Sequence, residues 1–249
     1  MTNLVVDIGN FLTKIAVFNQ DNIIFSDQLS TLNQEELIQI KENYQVENLI
    51  LSSVKQEIAI DEEALKHEFN YIRFNSFTAT PVVNKYASPE TLGLDRLAAV
   101  IGAKYLFPSQ PILVIDAGTC ITYDTLNELG EYHGGSISPG IHMRFEAMHH
   151  FTSKLPLVAF DKNFNKTYGD NSKDAISSGA LNGVLYEVEG FITAQLKLHP
   201  ETKIILCGGD AAFFVSRFKN SIFAHLILHE PNLVLIGLNT VVNYQHDHK

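Results

Sequence analysis

One phrase occurs twice in this chain. Leu4-Val5-Val6-Asp7-Ile8-Gly9-Asn10 runs into the apolar segment 11–18, and Leu113-Val114-Ile115-Asp116-Ala117-Gly118-Thr119 runs into 120–126. Each copy is a β-branched run, an Asp-x-Gly-[Asn/Thr] turn and a second strand-like run. Such a turn sets a carboxylate beside backbone N–H groups, and its glycine lets the backbone come close to a ligand. Two copies predict two related half-domains, each contributing a turn suited to polyphosphate and its metal.

At 249 residues with 45% hydrophobic content, the chain has room for two modest cores. A net charge of −10 and a pI near 5.4 argue against a nucleic-acid partner, which needs a basic surface to displace counterions. An anionic ligand is therefore expected to be held locally, by turn amides, Mg²⁺ and a few cationic side chains. Residues 1–4 enter a strand with no basic and apolar leader, and no apolar run approaches the ~20 residues that span a bilayer. Cys120 and Cys207 make neither a disulfide framework nor a zinc spacing. These features predict a cytoplasmic protein with no membrane partner.

Hydrophobic periodicity predicts strands over 3–8, 12–18, 22–29, 48–53 and 71–75, with helices over 34–43 and 61–69. Pro81 and Pro89 mark a loop ending at Gly93, and an alanine-rich helix over 94–107 is stopped by Pro108. The theme then repeats: strands over 112–116, 120–126 and 131–137, helices over 140–150 and 173–198, a strand over 203–207, a helix over 210–218, a strand over 222–227 and a helix over 232–244. Three strands followed by alternating helix and strand, run twice, predict an α/β chain with mixed five-stranded sheets and a central cleft. The boundary is expected at Pro108–Pro111, dividing 1–109 from 110–249.

At this point the residues resemble a known group. The duplicated hairpin is similar to that of the acetate and sugar kinase/Hsp70/actin superfamily, whose ribonuclease-H-like halves close over ATP. The finer resemblance is to type III pantothenate kinase. It rests on Asp7-Ile8-Gly9-Asn10-Phe11-Leu12-Thr13-Lys14, Gly93-Leu94-Asp95-Arg96, Asp116-Ala117-Gly118-Thr119-Cys120-Ile121-Thr122, Gly134-Gly135-Ser136-Ile137-Ser138-Pro139-Gly140, Leu155-Pro156 and Gly208-Gly209-Asp210-Ala211, in that order. The resemblance implies ATP-dependent phosphorylation of the primary alcohol of pantothenate, the first step of coenzyme A synthesis. It also implies a homodimer whose interface completes the substrate site.

The same resemblance implies residue roles. Asp7, Ile8, Gly9, Asn10, Phe11, Leu12, Thr13 and Lys14 bind ATP, with Gly9 and Asn10 N–H groups on the phosphates and Mg²⁺ held by Asp7 through water; Thr119 is the second ATP contact. Phe11 departs from the family's small hydroxyl residue, which predicts weakened ATP binding or an altered nucleotide preference unless Thr13 substitutes. Asp95 is the general base, and Tyr86, Gly93, Leu94, Asp95, Arg96 and Ser172 bind substrate. Asp116 holds a monovalent cation, K⁺ or NH₄⁺.

Plainer readings stand beside these. Asp7–Lys14 is also an ordinary hairpin, Gly93–Arg96 a helix start with Asp95 as a capping residue, Tyr86 a surface tyrosine and Ser172 an N-cap for the long helix. Cys120 replaces an alanine and has no base beside it. His142 and His149 share a helical face without a third metal ligand. Two other functions remain open: a non-catalytic regulator binding nucleotide or pantothenate, and a superfamily phosphatase. Gly93–Arg96 speaks against the phosphatase, which needs no acceptor-side base.

Overall fold

The structure is a computed structural model that describes residues 1–55 and 60–248. Chain order runs β1 (Thr2–Ile8), β2 (Thr13–Asn19), β3 (Asn22–Leu29), α1 (Gln34–Tyr44), β4 (Asn48–Ser53), α2 (Glu62–Glu68), β5 (Asn70–Arg73), β6 (Val83–Asn84), a 3-10 turn (Pro89–Thr91) and α3 (Leu94–Leu106). It continues with β7 (Ile112–Ala117), β8 (Cys120–Leu126), β9 (Glu131–Pro139), α4 (Ile141–His150), α5 (Ser172–Leu198), β10 (Lys203–Cys207), α6 (Ala211–Phe218), β11 (Ile227–His229) and α7 (Leu233–Asp247).

The chain divides into two compact units. One comprises residues 1–109, 126–133 and 232–249; the other comprises 110–125 and 134–231. In the first, a mixed sheet has the order β3-β2-β1-β4-β5, antiparallel on the β2–β3 side and parallel through β4 and β5. The second sheet has the order β11-β10-β7-β8-β9-β6. Its first five strands repeat the order of the other sheet read in reverse, so the duplication seen in the phrase extends to topology. The expected α/β class with mixed sheets is what the chain adopts, with one difference. The second sheet has six strands, because Val83 and Asn84 pair parallel with Glu131 and Tyr132 of β9. A two-residue strand among prolines carries no periodicity that a sequence reading can detect.

Each unit has its own core. Leu4, Val6, Ile15, Val17, Leu49 and Leu51 meet Leu37 and Leu65 of the helices in one; Leu113, Ile115, Ile121, Val184, Val188 and Leu206 form the other. Local signals start the helices as expected. Asn33 caps α1 and accepts from Glu36 N, while the Glu36 carboxylate accepts from Asn33 N, a complete capping box.

Three expectations are corrected. The C-terminal residues 232–249 and the hairpin tip 126–133 cluster with the first unit, so 110–249 is not one half-domain. The reason lies in α3 and α7, which cross so closely that a Cβ on Gly102 or Gly237 would run into the other helix's backbone. The strand expected over 222–227 begins only at Ile227. Before it, Ser221 N, Ala224 N and Leu226 N bond three residues back, coiling the chain into turns that bury Phe223. Finally, α5 is capped by the Asn171 side chain, which accepts from Asp174 N, and Ser172 is the first helical residue rather than the cap.

Candidate active site

Asp7 is the penultimate residue of β1, where it pairs with Lys14 of β2 and with Ser52 of β4. Its carboxylate is nearly buried, and the Ser52 hydroxyl beside it in the sheet is fully buried with no hydrogen-bond partner among the described residues. The turn that follows is tight: Gly9 N–H donates to the Leu12 carbonyl at 3.0 Å. The Gly9 amide is thus committed within the turn, contrary to the expectation that it faces phosphate. Asn10, Phe11 and Leu12 are exposed, with the Phe11 side chain 75% accessible. Thr13 is only 5% accessible at the start of β2, which does not favour it as a replacement for the hydroxyl missing at Phe11.

The second turn differs in length. Gly118 N–H donates to the Cys120 carbonyl at 2.9 Å, and two residues separate β7 from β8, against four between β1 and β2. Thr119 is exposed at its tip. Two glycine-rich connections back this turn. Gly140, just ahead of α4, donates its N–H to the Thr119 carbonyl at 3.0 Å, and Asp210 N–H reaches the Ala117 carbonyl at 2.9 Å. Gly208 has φ +93°, and any side chain there would collide with the Asp116 carboxylate and the Ala117 carbonyl. Burial pushes the Asp210 carboxyl above its usual range, opposed by nearby His142.

A third group gathers where α3 begins, in the first unit. Gly93 precedes the helix without a side-chain cap, and the Asp95 carboxylate accepts from Arg96 N–H at 2.8 Å in the first turn. Asp95 is thus the second helical residue rather than the cap, and it lies where the helix dipole favours negative charge. A Cβ on Gly93 would stand 2.7 Å from Asp95 Oδ1, so glycine there leaves the carboxylate its room. Arg96 is 6% accessible, and its guanidinium carbon lies 5.7 Å from the centre of the Tyr86 ring. Tyr86 is thus no isolated surface tyrosine. Leu94 is the half-buried first residue of α3.

The structure brings together Tyr86, Gly93, Asp95 and Arg96 in one unit, and Asp116 with Gly208 in the other. Ser172 belongs to the second unit, exposed at the start of α5. A four-residue polar hub in the second unit had no sequence signal. Glu187 of α5 accepts from Tyr123 Oη at 2.8 Å, Ser138 Oγ at 2.5 Å and Arg144 Nη2 at 2.6 Å. Cys120 is a free thiol, and His149 Nδ1 lies 2.9 Å from the Leu155 carbonyl. Among the described residues, no three His, Cys, Asp or Glu side chains form a metal-binding group.

Comparison with known proteins decides the family. The family model for type III pantothenate kinase matches residues 3–194, a stretch holding both turns and the start of α3. The chain belongs to the type III pantothenate kinase family. A type III pantothenate kinase of Bacteroides fragilis (strain YCH46) is 41% identical over 246 residues, covering 97% of this chain and 98% of the relative. Among solved structures, a Campylobacter jejuni protein described as a Baf family transcriptional activator superposes with a TM-score of 0.63. It is 20% identical and covers 98% of this chain and 99% of its own. A glucokinase from an Antarctic psychrotroph gives a TM-score of 0.53 at 12% identity, covering 98% and 99%. At these identities the likeness concerns the fold, which is that of the actin-like kinases.

Proposed function

We propose that this chain, as a type III pantothenate kinase, uses the start of α3 as its acceptor-side machinery. The reaction is ATP-dependent phosphorylation of the primary alcohol of pantothenate, opening coenzyme A synthesis. Asp95 is the general base: it takes the hydroxyl proton as the alcohol oxygen bonds to the γ-phosphorus and the bond to ADP breaks. Phosphoryl transfer asks the protein mainly for positioning and charge, so the base chiefly aims the nucleophile. Arg96 and Tyr86 bind the acceptor, with Gly93 and Leu94 completing its contacts, while Ser172 is assigned to the substrate held by the partner subunit. The observation that carries this reading is Asp95 in the first turn of α3, beside a nearly buried arginine.

The triphosphate is assigned to 7–14 and Thr119. Asp7, a single carboxylate beside a buried hydroxyl, suits Mg²⁺, which binds through one or two carboxylates and keeps several waters. When bound, Mg²⁺ neutralises charge on the β- and γ-phosphates. Asp116 supplies an oxygen donor suited to K⁺ or NH₄⁺. A homodimer completing the substrate site near Ser172, and a cytoplasmic location, belong to the same reading. Among the described residues, no helix is long and apolar enough to cross a membrane.

A coupled ADP-release assay with Mg²⁺ and K⁺ tests it, run with pantothenate, acetate, sugars or no acceptor. ADP release that depends on pantothenate is expected. Release without any acceptor would favour a phosphatase, and binding without release a regulator.

A further inference from the structure

Helix α3 does not hold the acceptor-side residues unaided. Tyr86, which Arg96 approaches within cation–π range, in turn stacks on Tyr132, with ring centroids 6.2 Å apart and planes within 9°. Tyr132 is completely buried. The segment carrying Tyr86 is tied to the same β9 tip through its backbone. Val83 N–H donates to the Gly130 carbonyl at 2.9 Å, and Lys85 N–H to the Tyr132 carbonyl at 2.8 Å. Tyr86 N–H donates to Asn84 Oδ1 at 3.0 Å. From the other side, Lys104 of α3 donates to the Pro81 carbonyl at 2.7 Å. Two-residue β6, which no periodicity announces, therefore joins α3, the Tyr86 segment and the tip of β9 within one unit.

We propose that Tyr132 is a positioning residue for the acceptor: its fixed ring sets the plane of Tyr86, and through Tyr86 the guanidinium of Arg96. The inference rests on the reading of Tyr86 and Arg96 as acceptor contacts. A near-parallel stack on an immobile ring restricts Tyr86 rotation, so acceptor binding meets an oriented surface and loses less side-chain freedom. Replacing Tyr132 by an aliphatic residue fills part of the space but removes the plane.

Steady-state kinetics on Tyr132→Leu, Tyr132→Phe, Asn84→Ala and Tyr86→Leu test it, alongside thermal unfolding. Tyr132→Leu is expected to raise the KM for pantothenate about fivefold while the KM for ATP changes less than about twofold. Tyr132→Phe, which keeps the ring, should restore the acceptor KM to within about twofold of the starting protein. If Tyr132→Leu does not fold, Asn84→Ala reports instead, because it frees the Tyr86 backbone from outside the core; the same selective rise is expected. A fall in kcat with both KM values unchanged would mean fewer folded molecules and would overturn the proposal. Should Tyr86→Leu leave the acceptor KM unchanged, the acceptor-site reading itself fails and the proposal falls with it. A rise in Tyr86→Leu with none in Tyr132→Leu or Asn84→Ala overturns the proposal alone.

Discussion

At the scale of single residues, the proposed reaction rests on Asp95 as its base, and the expected weakness of ATP binding on Phe11. Asp95 accepts one backbone N–H and stands in the first turn of a 13-residue helix. Asp95→Asn preserves shape and most hydrogen bonding but cannot accept the proton. Its kcat is expected to drop by about 10²–10⁴ with ATP affinity and Tm retained; a near-normal rate would remove Asp95 as the base. Phe11 lies on an exposed turn and offers no hydroxyl to phosphate. Phe11→Thr should lower the Michaelis constant for ATP several-fold, by about 1 kcal/mol for one regained hydrogen bond. An unchanged constant would show that the missing hydroxyl does not matter for ATP.

Among the elements, the least legible device is the Glu187 hub, which joins β8, β9, α4 and α5. Burial alone would raise the Glu187 carboxyl, yet the donors from Ser138, Arg144 and Tyr123, with the Arg144 charge, hold it below its usual value. Its folded pKa is thus depressed relative to the unfolded chain. The resulting stability is present above the unfolded value of about 4.3 and is lost as pH falls through the folded value. Glu187→Gln should therefore lose about 1–3 kcal/mol at neutral pH, and its Tm deficit should shrink below about pH 4. A deficit independent of pH would assign the effect to packing. Since Arg144 also donates to the Pro139 carbonyl at 2.9 Å, the hub steadies the connection whose Gly140 backs the Thr119 turn.

On the scale of the whole molecule, α7 returns the end of the chain to the first unit. Asn3 Nδ2 donates to Asn239 Oδ1 at 2.8 Å and to Asn243 Oδ1 at 3.0 Å, while Asn48 donates to Asn3 and Asn70 to Asn48. Asn239 also donates to the Gln20 carbonyl at 2.9 Å. A buried amide chain of this kind is costly to break, because each freed group lacks water. Asn239→Ala is expected to destabilise by about 2 kcal/mol, seen as a lower denaturant midpoint, and Asn70→Ala at the exposed end by about 0.5 kcal/mol. Equal effects would show that the chain does not act through its buried links.

What could be read from the residues alone is whatever depends on neighbours along the chain. β-branched runs made the strands, Asn33 and Glu36 started α1, Pro108 followed α3, and the doubled Asp-x-Gly phrase marked both turns together with the actin-like α/β class. Motif order led to the kinase family for the same reason, since a turn's chemistry is local. The tertiary structure alone decided the rest. It assigned α7 to the first unit through glycine-backed helix contact, added β6 to the second sheet, moved the start of β11 to Ile227 and committed the Gly9 amide. It also set Tyr132 behind Tyr86 and gathered three donors on Glu187. These depend on groups distant in sequence meeting in space, where close packing and unsatisfied polar atoms choose among arrangements that local preference leaves equal.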